Sequence, residues 1–531
     1  MALIGKPSVI TPPVETGTET ASARKTSGRW VLAATILGSS IASIDGTAVN
    51  VALPALQEKL GATITNAQWV IEAYTLFLAA LILVGGALGD RYGRRRVYAF
   101  GVALFALSSV LCGLSHSIYQ LIAFRALQGV GGAMLIPGSL AIITVFFSPG
   151  ERGRAIGTWS AFSAITTALG PVLGGWLIEN VSWRWIFFIN VPIAAAVLTI
   201  LFLRVPESKG GASGGRVDWA GGVLATLGLG GILFGLIESS NLGFSNPIVL
   251  ATLALGALGL LAFVVVEGRE ESPMMPPSLF RSVTFTGANV ATLFMYGALG
   301  GVFFFLPFAL IQVYGYTATE AGASLLPIIL IIFVLSRWAG GLTDKYGARL
   351  PFAAGTVLGA AGYLSLALFN GEGSYFSTIF PGITLLGLGL ALSIAPLTTA
   401  VMNSVNVEYS GTASGINNAV ARMAGLLTIA VLGIIILHAF NGYLDAGMDA
   451  ASVPQAVRDL LAGERIKMAG AEIPATLGSE MAAKLGGIVR RSFIGGFDIV
   501  LYIASGFSLL AAAVGLATIG KIEDHDKPRQ S

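Results

Sequence analysis

The sequence predicts an all-α integral membrane protein: about fourteen spanning helices, arranged as two related six-helix halves plus two inserted helices. Three observations predict it. Of the 531 residues, 54% are hydrophobic, only 11% are charged and 69 are glycine, a balance too apolar to cover a soluble surface of this length. Windows of roughly 20 residues, one bilayer crossing, find about fourteen apolar segments. The third observation is a repeat: GGALGDRYGRRR from Gly85 and GGLTDKYGAR from Gly340 each join two apolar runs. In register, Gly86 falls on Gly340, Asp90 on Asp344, Tyr92 on Tyr346, Gly93 on Gly347 and Arg95 on Arg349, all 254 positions apart. Two related halves with a charged hairpin repeated at one membrane face are the layout of a secondary transporter.

Taken in order, the segments are expected near 30–56, 67–89, 97–115, 119–147, 154–178, 184–203, 218–240, 247–267, 282–312, 319–341, 350–370, 376–403, 411–440 and 494–520. Residues 1–29 are polar, rich in Thr and Ser, and lack an apolar core with a small-residue cleavage site. They read as a disordered cytoplasmic tail, not a secretory signal. The first half is expected over 30–205. The second copy of the hairpin follows the tenth segment instead of the eighth, so two helices are inserted. They fall within 206–281, after a flexible GGASGG link at Gly210–Gly215. The second half spans 282–520 and includes an extracellular loop at 441–493 marked by Pro454 and Pro474; 521–531 is a second cytoplasmic tail. Arg91, Arg94, Arg95, Arg96, Arg152, Arg154, Arg204, Lys209 and Arg216 fall on one side, whereas the short loops opposite keep Lys59 and Arg184. The positive-inside rule makes the basic side cytoplasmic, and an even helix count puts both termini there.

Several classes are excluded. A net charge of +3 suggests no nucleic-acid partner. The single cysteine, Cys112, sits in an apolar run, which rules out an intrachain disulfide and a thiolate metal cluster. His116, His438 and His525 are isolated and no H-E-x-x-H occurs, so no metal is expected. There is no G-x-x-x-x-G-K-[ST] for ATP, and no cofactor is implied. Gly211 to Gly215 matches G-x-S-x-G but has no strand-turn-helix around it. The chain does not read as an enzyme.

Intramembrane charge carries the chemistry. A charged side chain at mid-bilayer costs about 3 kcal/mol on insertion scales, so such residues face a cavity or a partner. Asp45, Glu72, Arg125 and Arg422 qualify. A carboxyl group taken out of water holds its proton more tightly, and a nearby Arg pulls the other way. Asp45 or Glu72 is therefore the expected proton carrier, with Arg125 setting its affinity. Glu72 shares a helical face with Gln68 and Thr75, a wet surface. The face of Asp45 carries Gly38, Ala42, Ala48 and Ala52, while Ser39, Ser43, Thr47 and Asn50 run nearly opposite, so Asp45 faces either a cavity or a close helix crossing. Asn417, Asn418 and Arg422 lie on the thirteenth segment, where Arg422 either meets substrate or pairs within the bundle. Trp69 and Tyr74 are candidate cavity walls. Arg337 is expected to snorkel or to pair with Asp344.

Five phrases stand in order along the chain: IDGTAVNVALP at Ile44–Pro54, GGALGDRYGRRR between the second and third segments, RALQGVGGA at Arg125–Ala133, GPVLGGW at Gly170–Trp176 and WRWIFFINVP at Trp183–Pro192. With them the chain resembles the fourteen-helix drug:proton antiporter family of the major facilitator superfamily, from about Arg29 to Lys521. The resemblance implies the major facilitator fold with a central cavity between the halves. It implies a latch at the repeated hairpin, formed by Gly86, Asp90, Arg91, Gly93, Arg94, Arg95 and Asp344, that holds the halves together at the cytoplasmic side when the protein faces outward. It implies an antiporter motif at Gly157, Gly170, Pro171, Gly174 and Gly175, with Thr166 standing where the family has a further glycine. Proline and glycines there suit a kink or a tight helix crossing.

The function implied is proton-coupled antiport, multidrug efflux of small hydrophobic or amphipathic compounds across the cytoplasmic membrane. The partners are the lipid bilayer, a small-molecule substrate and protons, and the sequence leaves open whether a periplasmic adaptor joins them. Some relatives that export dications have extra carboxylates on the thirteenth helix. This chain lacks them, so a neutral, zwitterionic or weakly anionic solute has equal standing. Proton-coupled uptake, or a membrane sensor that binds a solute without moving it, remain the alternatives.

Overall fold

The computed structural model describes residues 21–209, 218–270, 273–368, 374–406, 409–474 and 477–520. Among them every regular element is helical, and 14 helices are long and apolar enough to cross a membrane. The first half contains α1 (Ala21–Leu60), α2 (Ile64–Tyr92), α3 (Arg94–Gly113), α4 (Ile118–Phe146), α5 (Pro149–Asn180) and α6, which is broken into Trp185–Phe188 and Asn190–Arg204. The inserted pair is α7 (Trp219–Leu242) and α8 (Pro247–Glu267). The second half begins with α9 (Val283–Phe308), extended by a π-helical turn at Ala309–Val313. It continues with α10 (Ala318–Ala323 and Leu326–Tyr346), α11 (Arg349–Leu368), α12 (Tyr375–Thr378 and Phe380–Asn403), α13 (Ser410–Ala450) and α14 (Ser479–Thr518). In each broken span a proline, Pro192, Pro327 or Pro381, lies in the first turn of the longer piece. It needs no donor there, and its ring disfavours helix just before it.

Two boundaries differ from expectation. α1 starts at Ala21, inside the expected 1–29 tail; the rest of that tail, the Gly210–Gly215 link and 521–531 lie outside the described residues. The helices that flank the expected 441–493 excursion run into it from both sides, to Ala450 and from Ser479. Packing is the reason: Phe440, Leu444 and Met448 repeat every four residues and are buried, as are Leu485, Ile488 and Val489 on α14. A continuing apolar face keeps a helix going past the length the bilayer needs. Between them remain a short helix at Gln455–Leu461 and a 3-10 stretch at Arg465–Gly470.

Within the first half α4 packs on α2 and α3, and α1 packs on α5; within the second, α11 packs on α12 and α14. A Cβ on Gly85 of α2 would lie 2.1 Å from the carbonyl oxygen of Ala133 on α4, so the two backbones touch there. The inserted pair docks on the seam through α7, and α8 packs on α7. Leu229, Leu233 and Ile237 of α7 pack with Leu76 and Ala79 of α2 and with Leu426 and Ala430 of α13. Trp69 Nε1 donates to Glu238 at 2.8 Å.

The halves close on each other at the end remote from the two Tyr-Gly hairpins. A Cβ on Gly175 of α5 would lie 2.2 Å from the Ala318 carbonyl oxygen, and one on Gly322 of α10 would lie 2.2 Å from that of Pro171. Gln312 Nε2 donates to Gln57 Oε1 at 3.0 Å, two residues at nearly the repeat spacing that meet across the halves, and Gly470 roofs both. Gln68 Nε2 donates to the Ile429 carbonyl at 2.9 Å. Toward the hairpins Gly157 on α5 and Gly340 and Gly341 on α10 have open space instead. Gly85→Val is expected to cost about 2 kcal/mol or more through the α2–α4 clash, read as a lower melting temperature in detergent, whereas Gly157→Ala leaves the melting temperature unchanged.

Candidate functional site

Asp45 and Arg125 form a buried ion pair at the centre of the first half, with Nη1 2.5 Å from Oδ2. Asp45 is 0% exposed and Arg125 1%, so water screens neither charge. Polar side chains replace it. Gln128 Nε2 donates to Asp45 Oδ1 at 2.9 Å and to Ser109 Oγ at 2.8 Å; Asn190 Nδ2 donates to Asp45 Oδ1 at 3.3 Å and to Ser109 Oγ at 3.2 Å. Arg125 donates through Nε to the Val70 carbonyl at 3.0 Å and through Nη1 to Gln128 Oε1 at 2.6 Å. Its guanidinium lies 4.2 Å from the Tyr74 ring centroid, a cation–π contact strengthened by desolvation. Five helices, α1, α2, α3, α4 and α6, meet in this one network.

Beside it, between the halves, lies a cavity of about 470 Å³. The first half contributes Gly46, Thr47, Asn50, Thr75, Thr167 and Pro171; the second contributes Tyr296, Phe303 and Arg422 among mostly aliphatic residues. Arg422 is half-buried, its Nε is buried without a partner, and among the described residues it makes no hydrogen bond. A second cavity of about 450 Å³ lies at the closed end, lined by Gln57, Glu58, Glu179, Gln312 and Glu472. Val51 borders both cavities, so the wall between them is one side chain thick at that point.

Helix α5 meets a different neighbour with each part of its motif. Gly170 lies against Thr47 and Gly174 against Ala48 of α1, while Gly175 lies against Ala318 of the other half. Thr166 Oγ1 bonds its own helix, to the carbonyls of Phe162 and Ser163. At the hairpin, Gly93 has φ 115° and its counterpart Gly347 has φ 75°, conformations that favour glycine in both copies. Arg94 pairs with Asp90 at 2.7 Å, and Arg91 lies over the Tyr92 ring. Glu207, just past α6, accepts from the backbone N–H groups of Arg95 and Arg96 at 3.0 and 3.2 Å, an anion on the N-terminus of α3. Arg95 also donates to the Val205 carbonyl. In this conformation these hairpin partners belong to its own half.

The structure brings Asp45 and Arg125 together and leaves Glu72 apart: both Glu72 carboxyl oxygens are buried without a hydrogen-bond partner. Asp45 points into the helix crossing, and Thr47 and Asn50 face the cavity. Trp69 is engaged by α7 and Tyr74 by Arg125 and Phe105, so neither is among the cavity-lining residues. Asn417 donates to Asn289 Oδ1 and Thr292 Oγ1, Asn418 is exposed, and Arg422 alone of that trio lines the cavity. The side chains of Arg337 and Asp344 lie outside the described residues. Sequence reasoning missed Gln128, Asn190, Ser109 and Glu207. Two of them had a signal: Gln128 is one turn from Arg125 on the same face, and Asn190 sits within the WRWIFFINVP phrase.

The Major Facilitator Superfamily model matches residues 35–429. The tetracenomycin C resistance and export protein of Streptomyces glaucescens is 32% identical over 501 residues, covering 94% of this chain and 93% of that protein. The multidrug resistance protein Stp of Mycobacterium tuberculosis is 33% identical, covering 92% and 90%. The cephamycin export protein CmcT of Amycolatopsis lactamdurans is 37% identical, covering 73% and 81%. Among solved structures, a bacterial homologue of the human lysosomal transporter Spinster, inward-facing and unoccupied, superposes with TM-score 0.62 at 16% identity, over 95% of this chain and all of that one. A D-xylose–proton symporter does so with TM-score 0.58 at 14% identity, over 93% and 98%.

Removing one member of a buried ion pair strands the other. Asp45→Ala is expected to destabilise the protein by about 3–5 kcal/mol, and the double variant Asp45→Ala/Arg125→Ala by less than the sum of the two single changes. A double-mutant cycle on thermal unfolding in detergent measures the difference.

Proposed function

Because this chain belongs to the major facilitator superfamily, we propose that it is a secondary active transporter that exports small hydrophobic or amphipathic compounds in exchange for protons. The observation that carries the reading is the juxtaposition of a buried acid held by Arg125 with a cavity large enough for a small organic molecule, lined by the residues that follow it on the same helix. Relatives named for antibiotic resistance and export support the direction. The hairpins face the cytoplasm, as do both termini, and this conformation is sealed on the outer side and receives its cargo from inside.

In this state Asp45 is the ion-pair partner of Arg125. Once the outer side opens, a proton arriving from outside neutralises Asp45. Arg125 then keeps the Val70 carbonyl, the Gln128 amide oxygen and the Tyr74 ring, so loosening the pair does not abandon the cation. α1 carries Asp45, lines the cavity through Gly46, Thr47 and Asn50, and rests on α5 through Gly170 and Gly174. Its displacement therefore reaches both the substrate and the outer seal.

In everted membrane vesicles, an imposed pH gradient should drive accumulation of a hydrophobic fluorescent compound by the wild type, and Asp45→Asn should lower that driven rate at least tenfold while leaving downhill exchange. Full coupled accumulation by Asp45→Asn would remove the reading. The outer seal has its own test. Joining Gln57→Cys to Gln312→Cys with a short thiol-to-thiol reagent should stop transport, and reducing a cleavable linker should restore it; unimpaired transport by the bridged protein would show that these residues need not part.

A further inference from the structure

The central cavity has one uncompensated charge, and it is positive. Among the residues that line it none is Asp, Glu or Lys, and Arg422 is the single permanently ionised group. The acid on the adjoining face of α1, Asp45, is already neutralised by Arg125. The acid on the facing stretch of α2, Glu72, accepts no hydrogen bond from Arg422 or from any other described residue. An arginine carries five donors and no acceptor, so a buried Nε without a protein partner is a binding capacity that an incoming acceptor fills.

What surrounds Arg422 describes the rest of the ligand. Tyr296, across from it on α9, lines the same cavity and has a hydroxyl donor. Gly46, Gly300 and Gly425 present bare backbone to the space, and a Cβ on Gly300 would fall 2.7 Å from the Gly425 Cα. The α9 and α13 backbones therefore touch beside Arg422, and no side chain projects from Gly46 or Gly425 into the space. Leu299, Phe303, Ile328, Ile332 and Ile394 make the remainder apolar. Thr47, Asn50 and Thr75 offer neutral hydrogen-bonding groups on the opposite side. This arrangement disfavours a cation, which would meet Arg422 with no carboxylate to offset it, and suits a planar apolar body bearing one acidic oxygen group.

We propose that the cavity binds amphipathic organic anions, a flat ring system carrying a carboxylate, with Arg422 as the anchor for the anion. The proposal rests on the export reading for its biological direction but not for its test, which is an equilibrium measurement. Purified full-length protein in lipid nanodiscs is titrated with radiolabelled 2-naphthoate, and with 2-naphthamide and 2-naphthylmethylammonium as matched neutral and cationic probes. The wild type should bind the carboxylate at least tenfold more tightly than the ammonium compound, the scale of a charge-assisted hydrogen bond. Arg422→Gln should weaken the carboxylate tenfold or more while changing the neutral amide less than threefold, and Arg422→Lys should restore part of the loss. Retained amide binding shows that the variant cavity is intact. Equal wild-type affinity for carboxylate and ammonium, an unchanged ratio in Arg422→Gln, or an equal loss of all three probes would each overturn the proposal. A preserved preference without proton-driven accumulation would sink the transport reading alone.

Discussion

The structure depends on one constraint: two opposite charges held out of water in the middle of six helices. Isolated, either would cost several kcal/mol to bury, and their mutual attraction offsets this only when the remaining donors and acceptors are satisfied. The first half is built around doing so. Asp45 takes donors from α4 and α6 as well as from Arg125, and Arg125 is held by a backbone carbonyl of α2, an amide oxygen of its own helix and an aromatic face. The partners are not equivalent. Those of Arg125 other than Asp45 are neutral and need no proton, whereas the bond between the two residues depends on the charge of one carboxyl group. Such an arrangement has two states in reach, one with the pair tight and one with the acid neutral and Arg125 still lodged.

The consequence for motion lies in α1. Successive residues of this helix serve three surfaces: Asp45 the buried network, Gly46 and Thr47 the cavity, and Thr47 and Ala48 the crossing with α5. α5 in turn interlocks with α10 through Gly175 and Gly322, each set against a backbone carbonyl of the other half. No side chain intervenes, so the fit has little slack, and a shift of α5 must either break the interlock or carry α10 with it. Coupling between a proton site and a gate needs contiguous, stiff elements with two arrangements. Here the chain of contact is one helix thick.

How much of this was legible in the sequence follows from the kind of signal involved. The halves, the inserted pair and the hairpins were readable because hydropathy and repetition are properties of the chain alone. The charged residues were readable because an ionisable group within an apolar run is costly without a role. Their pairing was only partly so. Asp45 and Arg125 are on separate helices, and helical spacing gave Asp45 a small-residue face without saying which neighbour would fill it. Glu72 shows the same limit: its face contains Gln68 and Thr75, and spacing alone did not say that its carboxyl group would be fully buried without a partner. Trp69 and Tyr74 were placed at the cavity by residue type, and tertiary partners, Glu238 and Arg125, claimed both. The extra length of α13 and α14 was missed because charge and proline marked 441–493 as a loop, while the four-residue repeat of Phe440, Leu444 and Met448 outweighed them.

The two halves have diverged in how they treat charge, and the difference bears on what closes the cavity. In the first half every intramembrane cation has a counter-charge. In the second, the polar cluster of Asn417 with Asn289 and Thr292 is neutral, and Arg422 is left facing the space between the halves. A lone guanidinium is tolerable while the cavity is open to water. If the halves close over it empty, it loses solvent and gains nothing, a penalty of several kcal/mol. If they close over a bound anion, the ion pair forms in the low-dielectric setting where it is strongest. Closure over cargo is thereby favoured over closure on an empty cavity, so the residue that anchors the anion also biases the outward leg of the exchange toward the occupied carrier.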